Sequence, residues 1–393
     1  MPQIKENFFE TILFKYENDT CDCVTDIEHI VPGEKPIVKF KVQALSEQKS
    51  KFAYAVKKGL VRIAPNGTIE EPNLLGTLLA LPSKKDKELS EFIKSNGFIF
   101  PVTSDAYEEV DKPSLLRIIN RLKMTVELMT AANEIKKDYP KILELIVSLI
   151  FADDIHFQTS EMQEPYSSCH HKYKDLTTTP PTMLSKERQQ EEFDGDVFHI
   201  ADSIECSTLV DIQEYNDVIS GSSSNTAFNN PLYKSILLMY VNTYNTGIER
   251  TITDLLYNYF HNVGLVYPAG DKIYAQAPKV ENITTQMKSA IIEVANYIIG
   301  EEINANLYGI HPIYNTETMS PSWKVDSLLC AAYFSVFYLK PGLELYRPCD
   351  NPRCGKYFLV KTTSTRNRYC STECCNRVTQ DRYRKKRREL SEN

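Results

Sequence analysis

Five of the ten cysteines in this 393-residue chain lie close together near its C-terminus. In a reducing compartment such crowding favours metal ligation over disulfide bonds. Four thiolates placed tetrahedrally, about 2.3 Å from one ion, form a structural zinc site. The spacing therefore predicts one structural Zn²⁺, held by Cys349, Cys354, Cys370 and Cys374.

The first cysteine pair predicts a tight turn. Cys349 and Cys354 enclose a proline and are followed by Gly355, which suits a loop that directs two thiolates to one point. Residues 356–361 and 366–369 lie on either side of a polar Thr-Thr-Ser-Thr stretch. This pattern predicts a hairpin formed by those two segments.

The second pair predicts the start of a helix. Ser371 is a good N-cap, and the negative charge of Glu373 in the first turn interacts favourably with the helix dipole. Cys370 and Cys374 then lie four residues apart, at a separation that brings two side chains to one face. Cys375 competes for the fourth position, but one residue turns a helix by about 100°, so only one of the two can face the metal. Cys374 is our choice.

Beyond the cysteines, the sequence predicts a basic helix. Between Arg347 and Arg388 there are 13 Lys or Arg and three acidic residues, a net charge of +10. Because the whole chain carries −7, the remaining residues carry −17. This asymmetry predicts nucleic acid as the partner, with the candidate contacts at Arg377, Arg384, Lys385, Arg387 and Arg388. Two alternatives are a tail that folds against the acidic residues and a solvated helix end without a partner.

These residues resemble a known family. Tyr369-Cys370-Ser371 followed by Cys374-Cys375-Asn376-Arg377 is similar to the CGNR-type zinc finger, found at the C-terminus of bacterial proteins proposed to be transcription regulators. The resemblance implies a treble-clef-like finger with the four ligands given above. Cys375 stands where the family has glycine, and the second cysteine pair is one residue closer than in the family's pattern.

For the rest of the chain the sequence predicts an α+β fold with a mostly helical body. Strands are predicted at Phe8–Tyr16, Pro36–Val42 and Leu60–Ala64, and Asn66-Gly67 predicts a turn. Helices are predicted over Lys87–Ser95, from Pro113 through Met129, and at Ile142–Phe151, Leu232–Val263, Ile283–Asn304 and Trp323–Leu339. The predicted domains are 1–157 (a strand-rich start and a helical part), 158–230 (an acidic insertion or linker), 231–345 (helical) and 346–393 (the finger).

Other groups of potential ligands are weaker. Cys21 and Cys23 could meet Cys169, His170 and His171 in a second metal site, although a buried or surface thiol pair is the simpler interpretation. An acidic and histidine-containing stretch over 153–199 could form a carboxylate site of an enzyme. A closed shell of four thiolates leaves no open position for water, so catalysis is not expected at the zinc.

Location and partners follow from these patterns. The longest uncharged apolar run, Ser327–Leu339, is shorter than the roughly 20 residues that span a bilayer, and the N-terminus does not resemble a signal peptide. We therefore expect a cytoplasmic protein without a membrane partner. The sequence favours a DNA-binding bacterial transcription regulator that is not an enzyme, with RNA as a second possible partner. Its body is expected to bind an unidentified small-molecule effector or to form a homodimer. The alternative is a stress or defence protein in which the finger is a structural clasp or docks protein or RNA.

Overall fold

The protein is described by a computed structural model over most of its length. The described residues are 12–28, 37–56, 58–168, 193–194, 197–199, 209–211, 217–218, 220–222, 231–242, 247–263, 266–269, 272–275, 283–316, 319–364 and 367–391.

The chain divides into two units. Unit 1 contains Met1–Ile135, Ile155–Ser167 and Glu302–Asn393, and unit 2 contains Lys136–Asp154 and Ser168–Glu301. The four predicted domains are continuous segments of the chain, whereas each unit combines separate segments. The predicted domain ranges therefore stay predictions.

Unit 1 begins with an antiparallel sheet. Its strands are β1 (Ile12–Glu28), β2 (Ile37–Ala55), β3 (Gly59–Ile63), β4 (Ile69–Glu71) and β5 (Glu108–Val110). They pair in the order β1-β2-β3-β4, and β5 adds to β2. The predicted strand-rich start is thus confirmed from Ile12 onward, and residues 8–11 of the first predicted strand lie outside the described residues. The predicted turn is also present, with Gly67 at φ +80° and its N–H donating to the Ala64 carbonyl.

Strand β1 continues beyond the predicted end at Tyr16, and β2 continues beyond the predicted end at Val42. An irregularity in β1 interrupts the sequence pattern that would have shown this. Phe14 and Tyr16 are buried, and after a register shift between Asp19 and Thr20 the buried residues are Cys21 and Cys23. The shift moves the inward positions from even to odd numbers, as a β-bulge does. The simple alternation of inward and outward residues therefore breaks between Asp19 and Thr20, although the strand continues to Glu28.

The first helices of unit 1 pack beside this sheet. They are α1 (Leu74–Ala80), α2 (Asp86–Asn96) and α3 (Lys112–Asn133). The predicted stop of α2 is confirmed, since Gly97 follows at φ +79°. The apolar stripe predicted from Pro113 through Met129 is buried on α3, whose N-cap Asp111 accepts a hydrogen bond from the Ser114 N–H. Two short strands follow, β6 (His156–Phe157) and β7 (Tyr166–Ser167).

Unit 2 is mainly helical in its described part. Its helices are α4 (Tyr139–Phe151), α5 (Pro231–Asn242), α6 (Ile248–Val263) and α7 (Thr285–Ala305, of which Glu302–Ala305 are counted in unit 1). Its strands are β8 (Phe193–Asp194), β9 (Val197–His199) and β10 (Leu209–Asp211), which form one sheet, and the hairpin of β11 (Val266–Ala269) and β12 (Lys272–Ala275). The predicted stretch Leu232–Val263 holds two helices, and most of the predicted insertion 158–230 lies outside the described residues.

Unit 1 resumes with a hairpin and a buried helix. The hairpin pairs β13 (Ile310–Asn315) with β14 (Ser320–Val325), and α8 spans Leu328–Phe337. The helix predicted from Trp323 is wrong at its start, because Trp323 lies in β14. Ser327 caps α8 by accepting a hydrogen bond from the Cys330 N–H. The described architecture is a mixed α+β fold, as predicted. Within the described residues, no helix is both long enough and apolar enough to cross a membrane.

Candidate metal centre

The first half of the C-terminal finger is a hairpin. Strand β15 (Glu344–Pro348) pairs antiparallel with β16 (Tyr357–Lys361), and the loop between them carries Cys349 and Cys354. The Cys349 N–H donates to the Lys356 carbonyl at 2.9 Å, and the Cys354 N–H donates to the Asn351 carbonyl at 2.9 Å. We call residues 344–361 the hairpin half. Its loop is the predicted tight turn, with both sulfurs on it.

The predicted hairpin of residues 356–361 with 366–369 is wrong. Strand β16 pairs with β15, which precedes it, and residues 367–370 are not in a strand. Leu345 and Val360, which face each other across the β15–β16 ladder, are both buried. Their burial favours this pairing, whereas the polar stretch after β16 offers no comparable apolar partners.

The chain then returns to the loop of the hairpin half. The Asp350 N–H donates to the Arg368 carbonyl at 2.9 Å, and the Arg368 guanidinium donates to the Asp350 carboxylate at 2.6 Å. The Cys370 N–H points at Cys349 Sγ, 3.4 Å away. These contacts bring the third sulfur to the first pair.

The second half of the finger is a helix. Helix α9 (Thr372–Ser391) begins after Ser371, whose hydroxyl accepts a hydrogen bond from the Cys374 N–H at 3.2 Å. The Ser371 carbonyl accepts another from the Cys375 N–H, so the predicted N-cap is confirmed. We call residues 371–391 the helical half.

The four sulfurs converge on one point. All of the Sγ atoms of Cys349, Cys354, Cys370 and Cys374 lie within 4.8 Å of one another. Cys370 Sγ is 3.6 Å from Cys354 Sγ and 3.6 Å from Cys374 Sγ. Four sulfurs at about 2.3 Å from a central zinc would be separated by about 3.8 Å, so the donors fit that ion. Cys375 is outside the group, and Cys374 supplies the fourth sulfur.

Without a cation, the proximity of these thiols opposes ionisation at part of the site. Burial and hydrogen bonds with the neighbouring cysteines hold the pKa of Cys370 above its ordinary value, and burial raises the pKa of Cys354. Burial acts in the same direction on Cys374, but hydrogen bonds that include one from Asn351 outweigh it and lower the pKa of Cys374 to about 7. Zinc binds thiolates, so its binding would release the remaining protons.

Asn351 is a functional residue that the cysteine spacing did not reveal. It is 4% exposed, and its side-chain oxygen accepts a hydrogen bond from the Arg353 N–H at 3.1 Å while its carbonyl accepts that of Cys354. This arrangement shapes the loop from inside. The sequence signal that could have identified Asn351 is its position two residues after the ligand Cys349.

Residues 346–387 match the family model of the CGNR zinc finger. This segment is a CGNR zinc finger. Its four clustered cysteines hold one structural Zn²⁺, as the sequence predicted. No curated protein and no solved structure gives a significant match to the chain. The identification therefore applies to the CGNR finger alone.

The hairpin half of the CGNR finger is bonded to α3. The Thr130 hydroxyl donates to the Tyr346 carbonyl at 2.9 Å, and Arg347 donates to Glu134, just beyond the end of α3, at 3.1 Å. The Tyr357 hydroxyl donates to the Glu127 carboxylate. Burial, together with the charge of Glu127, raises the pKa of Tyr357, so this phenol stays a donor at neutral pH.

The same hairpin half packs against α1. The Asn73 side chain caps α1 through the Gly76 N–H and donates from its amide nitrogen to the Tyr357 carbonyl. A Cβ atom on Gly76 would lie 1.9 Å from that carbonyl oxygen. Only glycine permits this approach, so the hairpin half is built into unit 1.

The helical half is exposed along most of its length. Val378 is 9% exposed, and Arg353 of the hairpin loop forms an ion pair with Asp381 at 3.5 Å. The predicted nucleic-acid contacts Arg377, Arg384, Lys385 and Arg387 are all exposed on α9. Arg388 also lies on α9, but its side chain is outside the described part of the structure.

The other predicted ligand groups do not come together in the described residues. Cys21 and Cys23 are buried in β1, where burial raises the pKa of both thiols. Their proposed partners over 169–171, and most of the acidic and histidine-containing stretch, lie outside the described residues. Within the described residues, the four finger cysteines are the one group of three or more potential ligands close enough together to hold a metal.

Unit 1 also contains a cavity of about 320 Å³ between β1 and the segment that follows α2. Carboxylates at its rim include Glu17, Asp19 and Asp326. Each lies within 4 Å of a lysine nitrogen, so these three carboxylates do not by themselves favour a cationic ligand. We therefore assign no ligand to this cavity.

Proposed function

We propose that the protein is a DNA-binding transcription regulator of the bacterial type, in which the zinc centre presents α9 to duplex DNA. The observation that carries this proposal is the exposure of the α9 cations. Five of them, Arg377, Arg382, Arg384, Lys385 and Arg387, are exposed within three helical turns.

Electrostatics supports a polyanionic partner. Like charges spaced three or four residues apart on a helix repel one another, and Val378 is the one buried apolar side chain described on α9. Phosphates would neutralise the repulsion and release their condensed counterions. A cationic helix anchored at its N-terminal end by a metal is suited to such a contact, because the anchor restricts the helix before binding.

The donor set supports a structural and not a catalytic metal. Four thiolates complete the tetrahedral shell of zinc and leave no position for a water or a substrate. We therefore propose no enzymatic step at this centre. The thiolate ligands suit a reducing, cytoplasmic setting.

The test is a salt titration of binding to a mixed-sequence duplex, measured by fluorescence anisotropy. The variant Arg377→Gln/Arg384→Gln/Lys385→Gln/Arg387→Gln removes four cations from α9. The control Lys49→Gln/Lys51→Gln/Lys87→Gln/Lys324→Gln removes four exposed cations elsewhere in unit 1.

We expect wild type to bind more weakly as salt rises, and the α9 variant to reduce the logarithmic salt slope by about 3 to 4. At about 0.1 M salt its affinity should fall roughly 100-fold or more, while the control changes it by less than about threefold. An absence of duplex binding by wild type at about 0.05 M salt would contradict the proposal, as would an equal loss in the control.

A second candidate function is favoured by the contacts of the hairpin half. Because β15 and β16 bond to α1 and α3, the finger could serve as a structural clasp of unit 1 in a stress or defence protein. In that case chelation of zinc would unfold unit 1 as a whole, and neutralising the cations of α9 would leave function intact.

A further inference from the structure

We propose that one face of α9 reads base sequence in the major groove of duplex DNA, through Asn376, Gln380, Tyr383 and Arg387. This inference rests on the proposed DNA-binding function and deepens it, because the contacts considered so far are to phosphates. We call these four residues the outer face.

The orientation of α9 is fixed by what lies on its other side. Cys374 faces the metal centre, Val378 is buried, and Asp381 pairs with Arg353. Val378 lies four residues after Cys374, and Asp381 lies three residues after Val378, so the three side chains share one face of the helix. At about 100° per residue, the outer-face residues lie on the opposite side.

The outer-face side chains are available for a ligand. All four are exposed, and Tyr383 is 69% exposed although it is a large aromatic residue. Within the described part of the chain, no hydrogen bond or ion pair to the protein involves their side chains. The polar groups therefore point away from the finger with their donors and acceptors unused.

The chemistry of the outer face differs from that of its flanks. Three of its four side chains are uncharged, although five Lys or Arg lie between Asn376 and Arg387. Arg377 and Arg384, seven residues apart, lie beside the outer face. A helix that bound phosphates without regard to sequence would gain most by placing cations at its centre as well. This helix has amides there instead.

These side chains match base edges. Asn and Gln amides form paired hydrogen bonds with adenine, and Arg does so with guanine. The major groove is about 12 Å wide and accepts an α-helix. From Asn376 to Arg387 the helix rises about 16 Å, which corresponds to roughly five base pairs. The expected ligand is thus a duplex element of about that length, with the flanking arginines on phosphates.

The test is selection from a library of duplexes with a randomised core, using the full-length zinc-loaded protein. Wild type should enrich one element of about four to six base pairs. Asn376→Ala/Gln380→Ala changes no charge, so it should keep the affinity for unselected duplex within about threefold and the same salt slope. Its preference for the selected element over unselected duplex should fall about tenfold or more.

The control is Cys375→Ser, which alters an uncharged residue of α9 that lies outside the sulfur group and about 100° around the helix from Asn376. It should retain the wild-type preference, and all proteins should retain one zinc per chain. Enrichment of no element by a wild type that binds duplex would overturn this inference and leave the proposed function standing. An unchanged preference in Asn376→Ala/Gln380→Ala would do the same. No duplex binding at all would overturn the proposed function, and tighter binding to single-stranded RNA of the selected sequence would overturn the choice of duplex DNA.

Discussion

The hairpin half and the helical half of the CGNR finger meet at the same four sulfurs but are held in different ways. Tyr346 and Tyr357 of the hairpin half are 2% and 4% exposed and are bonded to helices of unit 1. The helical half buries one apolar side chain, Val378, and adds an ion pair between Arg353 and Asp381 whose side chains are 78% and 44% exposed. An exposed pair of this kind contributes little, so the sulfur cluster is the principal link between the halves.

The zinc centre is therefore the joint of the finger, by which we mean the point where the exposed helical half is attached to the docked hairpin half. The hairpin half supplies two ligands from a rigid support, and zinc fixes the first turn of a helix that could not fold against a core. The remaining turns keep their side chains in solvent. A structural metal can in this way present a charged helix without burying it.

The largest expected effect is on the metal centre itself. Cys349→Ser removes the most buried of the four ligands and should reduce the zinc content from one per chain to near zero. Cys375→Ser is the matched control, because Cys375 lies outside the sulfur group, and it should keep one zinc. Atomic emission on the purified proteins measures both. Loss of zinc from Cys375→Ser, with Cys374→Ser retaining it, would show that the fourth ligand is misassigned.

A smaller effect is expected where the hairpin half meets α1. Gly76→Ala places a Cβ 1.9 Å from the Tyr357 carbonyl oxygen, so backbone must move, at a cost of about 2–3 kcal/mol. The thermal midpoint should fall, while zinc stays bound. Gly342→Ala, which meets nothing within 4 Å, should change stability by less than about 1 kcal/mol. Equal midpoints for the two variants would mean that the hairpin half is not docked as described.

Local patterns predicted the metal centre well. The four cysteines, Ser371 as N-cap and the exposed basic side chains of α9 depend on spacing within a few residues, and the sequence displays that spacing directly. Helix geometry also indicated that only one of Cys374 and Cys375 can face the metal, whereas the position of Cys374 in the cluster was needed to decide which. The turn at Gly67 and the end of α2 at Gly97 were predictable for the same reason.

Non-local pairing was harder to predict. The partner of β16 was misassigned, since strand pairing is decided by apolar residues across the ladder and not by the nearest turn. The bulge at Asp19 and Thr20 concealed the second half of β1. The contact between Tyr357 and Glu127 joins residues 230 positions apart, and no local pattern announces it.

The most direct test of the joint is hydrogen exchange, followed by mass spectrometry, before and after zinc is removed by a chelator. Amides of α9 should lose protection when zinc leaves, because little else holds the helix, while amides of β15, β16 and α3 should keep theirs. Loss of protection in all of these segments together would contradict this account and favour the clasp. Unchanged protection of α9 without zinc would contradict both.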